Sequence, residues 1–270
     1  MRLDDLTQLM ARLDLGEPGV RPRRPPREEL NRLRDALAAG LGDADFALDC
    51  VEADLRTWRA WETSGWKGRK APIAAIPELG ITVAMFFWPP GEVSQPHEHT
   101  SWTMSAVFHN RLEVTTFHWD RAVAARRLDK RNVFAAEVGR VGYVYDPAIH
   151  SPRNRSDSWA TSIHIYNTDD VAVLEKQVGP IEGLESADDT ADRARYESRP
   201  PAVFEYVRQC TYRVHAGALR RFPSARTVDV LESLWRLGDE ATRDAAADSM
   251  RAAAPHDADE RIRRLRARAG

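Results

Sequence analysis

Three of the chain's eight histidines stand where imidazoles could bind a metal. His97 and His99 are separated by one residue in Gly91-Glu-Val-Ser-Gln-Pro-His97-Glu-His99, and His150 follows in a later segment with Asn154 just beyond it. On a strand, side chains alternate with period two, so His97 and His99 point to one face and Glu98 to the other. Neutral imidazole is a good ligand for iron, nickel, copper and zinc. A single His-x-His arises easily by chance; a third histidine in a second strand-like segment makes the group a candidate three-ligand site. His109, His118, His215 and His256 carry no such context and read as bystanders.

A second group lies in Thr161-Ser162-Ile163-His164-Ile165-Tyr166. Ser162, His164 and Tyr166 share one face, and Thr161, Ile163 and Ile165 share the other. A polar face opposite a β-branched one looks either into a protein interior or into solvent. In the first case hydroxyl, imidazole and phenol could form a hydrogen-bond relay that ends at the metal.

The elements that must position these residues are mostly strands. Ile81–Trp88, Leu112–Phe117, Tyr143–Tyr145 and Thr161–Tyr166 favour strand conformation, punctuated by Pro89-Pro90-Gly91 and Asp146-Pro147. Short strands in series without intervening helices indicate an antiparallel barrel or sandwich. Ahead of them, Pro18–Pro26 reads as an extended linker, and Leu30, Leu33, Leu37 and Leu41 recur at helical spacing. After the strands, Ser224–Leu237 reads as a helix with Ser224 as N-cap and Gly238 as its stop, and Ala241–Ala253 and Ala258–Arg268 read as polar helices. The organisation expected is a helical segment over 1–60, a β domain over 61–180 and a partly helical extension over 181–270.

Composition excludes several classes. Hydrophobic residues make up 43% and charged residues 30%, and the net charge is -2, so no overall field draws the chain to nucleic acid or membrane. Arg261, Arg263, Arg264, Arg266 and Arg268 crowd the C-terminus. Without stacking aromatics they read as a solvated helix end whose cations favour the helix dipole, not as a nucleic-acid tail. No apolar run suits a membrane span, and the N-terminus alternates apolar and charged residues, unlike a secretory signal. The two cysteines, Cys50 and Cys210, fit a reducing cytoplasm, which is the location expected. No feature of the sequence sets the oligomeric state.

The histidine segments resemble the two motifs of the cupin superfamily: Gly91 with His97 and His99 for the first, Gly139, His150 and Asn154 for the second. Thr103 and Met104 stand where the first motif carries a glutamate, so a neutral three-histidine set is implied. Trp88-Pro-Pro-Gly91, Pro96-His-Glu-His-Thr100, Ile149-His150 with Asn154 and Ser156, and Ser162-Ile-His164-Ile-Tyr166 further resemble the cysteine dioxygenase family of thiol dioxygenases. The resemblance covers roughly residues 60 to 170.

It implies an antiparallel jelly-roll barrel with N-terminal helices and a C-terminal helical extension. It implies Fe(2+) held by His97, His99 and His150, and a catalytic Ser162-His164-Tyr166 relay. The partners implied are a small-molecule thiol, L-cysteine or a relative, and O2, with a sulfinate as product. Arg69 is the expected partner of a substrate carboxylate, since a guanidinium fork matches it bidentately. In some members a cysteine cross-links to the relay tyrosine; Met104 holds the corresponding position here, so Tyr166 is expected to be a free phenol. Asn110-Arg111 replaces a glycine-containing turn, which closes if Asn110 takes positive φ. Three imidazoles bind nickel as well as iron; iron rests on the resemblance and on the need for oxygen chemistry. Two other functions fit the same residues: a more extensive oxidative rearrangement of a cysteine-like thiol, and a non-catalytic ligand-sensing cupin.

Overall fold

The computed structural model describes residues 1–16, 24–65, 67–99, 102–119, 128–145, 148–167, 176–177 and 201–269. Most of the expected linker, the Asp146-Pro147 punctuation and residues 178–200 lie outside that set. Helices α1 (Leu3–Met10), α2 (Arg27–Leu41) and α3 (Ala44–Ser64) precede the strands, and α4 (Pro201–Leu219), α5 (Ala225–Leu237), α6 (Glu240–Ala253) and α7 (Ala258–Ala269) follow them. Local chemistry sets their ends. The Asp43 carboxylate accepts from the backbone N–H groups of Asp45 and Phe46 to start α3, and the Ser224 hydroxyl accepts from Thr227 N–H to start α5. Leu30, Leu33, Leu37 and Leu41 are all buried along one face of α2.

The strands are β1 (Lys70–Ile76), β2 (Ile81–Trp88), β3 (His97–Glu98), β4 (Thr103–His109), β5 (Leu112–Trp119), β6 (Leu128–Ala136), β7 (Val141–Val144), β8 (Ile149–Arg153), β9 (Ala160–Asn167) and β10 (Lys176–Gln177). They form two five-stranded sheets, in the orders β1-β2-β9-β4-β7 and β10-β3-β8-β5-β6, with antiparallel pairing between neighbours.

Alternation gives the first sheet two different faces. Ile81, Val83, Met85 and Phe87 of β2, Met104, Ala106 and Phe108 of β4, and Ile163 and Ile165 of β9 join one apolar core with residues of the helices, among them Leu33, Trp58 and Leu219. The opposite face carries Phe86 and Trp88, Val107, and Ser162, His164 and Tyr166 in register. It meets the second sheet where Trp88, Val107 and Ala160 pack with Leu112. On this face Ser162 is buried, while His164 and Tyr166 keep partial exposure.

Two turn details follow from the sequence. Asn110 takes φ +62°, alone among the described non-glycine residues. That φ lets the β4–β5 hairpin close without glycine, and the Asn110 amide ties the turn to the β8–β9 connection by donating to Ser156 Oγ at 2.7 Å. Met104, by contrast, is not the neighbour of Tyr166. The register sets Thr103 against Tyr166 and Met104 against Ile165, and Met104 is fully buried in the core shared with the helices. Counting along the sequence put the wrong residue on the relay face by one position, which in a strand reverses the side. Neither residue is a cysteine, so Tyr166 has no cross-linking partner there.

Candidate metal centre

β3 and β8 pair with His97 opposite His150, and His99 follows His97 by one alternation. The ring centroids lie 4.5 Å apart for His97–His150 and 5.1 Å apart for His97–His99 and for His99–His150. One ligating nitrogen from each ring falls within 4.8 Å of the others, the spacing a single ion would bridge. Backbone carbonyls orient two of the rings. His97 Nδ1 lies 2.7 Å from the Gln95 carbonyl and His150 Nδ1 lies 3.0 Å from the Ala148 carbonyl. A carbonyl can only accept, so each Nδ1 carries the proton and each Nε2 keeps its lone pair for a metal. The three neutral donors fit a divalent transition metal well.

The loop into His97 is clamped from the second motif. Asn154 is fully buried, and its amide donates to the carbonyls of Trp88 at 2.9 Å, Pro89 at 3.0 Å and Ser158 at 2.8 Å. Its backbone N–H donates to the Glu92 carbonyl at 2.8 Å. The Ser151 hydroxyl bonds the Ser94 carbonyl. The second motif thus fixes the first one's approach to the metal ligands.

On the facing sheet, Ser162 Oγ lies 2.8 Å from His164 Nε2 and accepts from Trp88 Nε1 at 2.8 Å. The indole can only donate, so the serine hydrogen remains available to His164 Nε2, and the neutral ring then carries its proton on Nδ1. Nothing in the sequence around Trp88 announces its bond to Ser162, which depends on the β2–β9 register. Phe86 stacks on His164 at 4.0 Å and meets Tyr166 edge-on at 6.4 Å. Burial pushes the His164 pKa well below the ordinary imidazole value, helped by the charge of Lys70 and by His99, His150 and His97. His164 is therefore neutral near pH 7, as a hydrogen-bond relay requires, and it lies within electrostatic reach of all three candidate ligands.

Arg69, the expected carboxylate anchor, is engaged elsewhere. Its guanidinium holds both carboxylate oxygens of Glu92 and donates to the Phe87 carbonyl at 2.9 Å. The pair is half-buried and ties the start of β1 to the first-motif loop. The next residue does face the site. Lys70 pairs with Phe86 in register, and its ammonium lies 4.9 Å from the centre of the Phe86 ring, the ring that stacks on His164.

The remaining histidines divide. His118 is exposed. His215 stands apart from the three-histidine group and is fully buried, with Nε2 2.6 Å from Asp54 Oδ2. Burial pushes the Asp54 carboxyl up against the opposing pull of His215. This pair joins α3 to α4, behind the first sheet.

Three convergent imidazoles on one of two antiparallel sheets, with the bonded Ser162 and His164 on the other, make a candidate metal centre in a β domain. No protein-family model and no curated protein matches the chain. Solved structures similar to part of it include a Thermus thermophilus protein (16% identity, 37% of this chain and 81% of that one, TM-score 0.29). A cupin superfamily protein of Desulfitobacterium hafniense is 14% identical over 38% of this chain and 79% of its own, with a TM-score of 0.29. A mutant of Bacillus subtilis oxalate decarboxylase is 23% identical over 33% of this chain and 22% of its own, with a TM-score of 0.28.

Proposed function

We propose that the protein is a mononuclear non-haem iron thiol dioxygenase that converts L-cysteine or a related small thiol to its sulfinate. The observation that carries this reading is the pairing of a neutral three-histidine face with a neutral Trp88–Ser162–His164 hydrogen-bond chain, Tyr166 sharing its face. His97 and His150 would hold the metal through Nε2, and His99 through one of its ring nitrogens. Bound iron(II) would supply open positions for a soft thiolate and for dioxygen, with the three neutral imidazoles keeping the net charge low. The overall change balances as one thiol and one O2 giving one sulfinic acid: the S–H and O–O bonds break, two S–O bonds form, the proton passes to a sulfinate oxygen or to solvent, and dioxygen is the oxidant of sulfur.

The chain's own residues do the rest. Trp88 and Ser162 hold His164 in one orientation, and His164 stays neutral, so it can steer the Tyr166 phenol toward the bound substrate. Phe86 stacks on the His164 ring and covers that side of it. We assign the substrate's carboxylate to Lys70 in place of Arg69. The Arg69 fork is filled by Glu92, whereas Lys70 reaches across Phe86 toward His164. The test is anaerobic purification with metal analysis, then oxygen uptake over a panel of small thiols. Stoichiometric iron with uptake dependent on a carboxylate-bearing thiol supports the reading. Bound metal with no thiol-dependent uptake would favour a ligand sensor.

A further inference from the structure

A hydroxyl outside the relay also borders the three histidines. On β5, Leu112 packs in the cluster between the sheets, so alternation places Val114 and Thr116 on the same face and Thr115 on the other. The β5–β8 register sets Thr116 against His150, and His150 shares its face with His97. Thr116 is therefore the cross-strand neighbour of a candidate metal ligand, with Cβ atoms about 5 Å apart by ordinary sheet geometry. Its Oγ1 is shut off from solvent and has no hydrogen-bond partner among the described residues. The β5–β6 pairing is bulged between Thr116 and Phe117, a device that re-aims side chains beside sites.

An unpaired buried hydroxyl weakens the fold, whereas valine would fill the same volume without that cost. A donor beside a metal ligand finds its acceptor when the site is filled. We propose that the Thr116 hydroxyl donates a hydrogen bond to the ligand held at the three-histidine centre. That ligand would then present a lone-pair-bearing sulfur or oxygen atom on the His150 side, across from the Tyr166 face. The inference rests on the metal-centre part of the proposed function and is independent of the thiol chemistry.

The experiment compares wild type, Thr116→Val and Thr116→Ser, each loaded anaerobically with iron(II) and titrated calorimetrically with L-cysteine and, separately, with azide. Thr116→Val should keep its iron and bind at least one of the two probes about 3- to 10-fold more weakly, the loss of one neutral hydrogen bond. Thr116→Ser should recover the affinity. In urea, metal-free Thr116→Val should be more stable than wild type, which shows that weaker binding does not come from a damaged fold. Unchanged affinity for both probes in Thr116→Val overturns the proposal, whatever happens to stability, and so does a wild type that binds neither. Threonine-dependent azide binding without L-cysteine binding would uphold Thr116 and sink the thiol reading.

Discussion

Removing the Tyr166 hydroxyl should lower turnover while leaving the metal in place. Tyr166 shares a strand face with His164 and Ser162, and His164 is neutral at working pH. In Tyr166→Phe, kcat should fall by about 10²–10⁴-fold if proton delivery limits the rate, with iron content unchanged. Full kcat and KM in iron-loaded Tyr166→Phe would remove the phenol from the chemistry. At the substrate's other end the two neighbouring cations should separate cleanly. Lys70→Met should raise KM for L-cysteine about tenfold, the low end for a charge-assisted contact because Lys70 is exposed, and leave KM for cysteamine unaltered. Arg69→Ala should affect both thiols alike and destabilise the fold by about 1–3 kcal/mol, since it strands a half-buried Glu92 carboxylate. A KM effect of Arg69→Ala confined to L-cysteine would restore Arg69 to the substrate. The histidine trio could be read from the sequence because strand alternation forces His97 and His99 together. Arg69 could not be placed, because the carboxylate that occupies it lies across a loop and no local pattern announces the pairing.

Element by element, the second motif acts through Asn154 and the first sheet through a bulge. Asn154→Ala would leave the Trp88 and Pro89 carbonyls without their buried donor. Urea unfolding should show a loss of about 2–4 kcal/mol, with weaker metal retention as the loop into His97 loosens; a loss under about 0.5 kcal/mol would mean that the loop holds itself. The β4–β9 register shifts between Val107 and His109, and an added Cβ on Gly217 of α4 would lie 3.1 Å from the His109 ring. Burial, with the nearby charges of Arg221 and His215, lowers the His109 pKa to about 4 from the ordinary 6.5. Between those values the unfolded chain takes up a proton that the folded one refuses, so stability falls as pH drops through the window. The loss should reach about 2 kcal/mol by pH 5 and about 3 by pH 4, and should shrink in His109→Gln; identical pH profiles for the two proteins would contradict it. β2, β5, β9, part of β7 and the Ser224-capped helix were legible, since their apolar periodicity or end signals are strong, whereas the central β4 was not named. β1 and β6 were not. Both are edge strands, and β6 is exposed along nearly its whole length, so neither needs the alternation that marks a covered strand.

For the whole molecule, residues far apart in sequence do the joining. His215 of α4 reaches Asp54 of α3, and Arg226 of α5 binds Asp49 and Glu52 of α3 at 2.7 and 2.8 Å. The C-terminal helices thereby pack behind the sheet that carries the relay. No sequence pattern shows this, because a buried histidine with a distant carboxylate looks like any isolated histidine until the chain is folded. Among the described residues no helix is long and apolar enough to cross a membrane. The two sheets leave one polar face toward the three histidines and one apolar face toward the helices, and the proposed chemistry depends on that division. The most direct test supplies iron-loaded protein with L-cysteine under ¹⁸O-labelled dioxygen and weighs the product. The expected product is cysteine with both labelled oxygens on sulfur, carbon and nitrogen retained, and one O2 consumed per thiol. Protein with stoichiometric iron that consumes no oxygen on thiol addition, or that returns a product without both labels, would contradict the dioxygenase assignment.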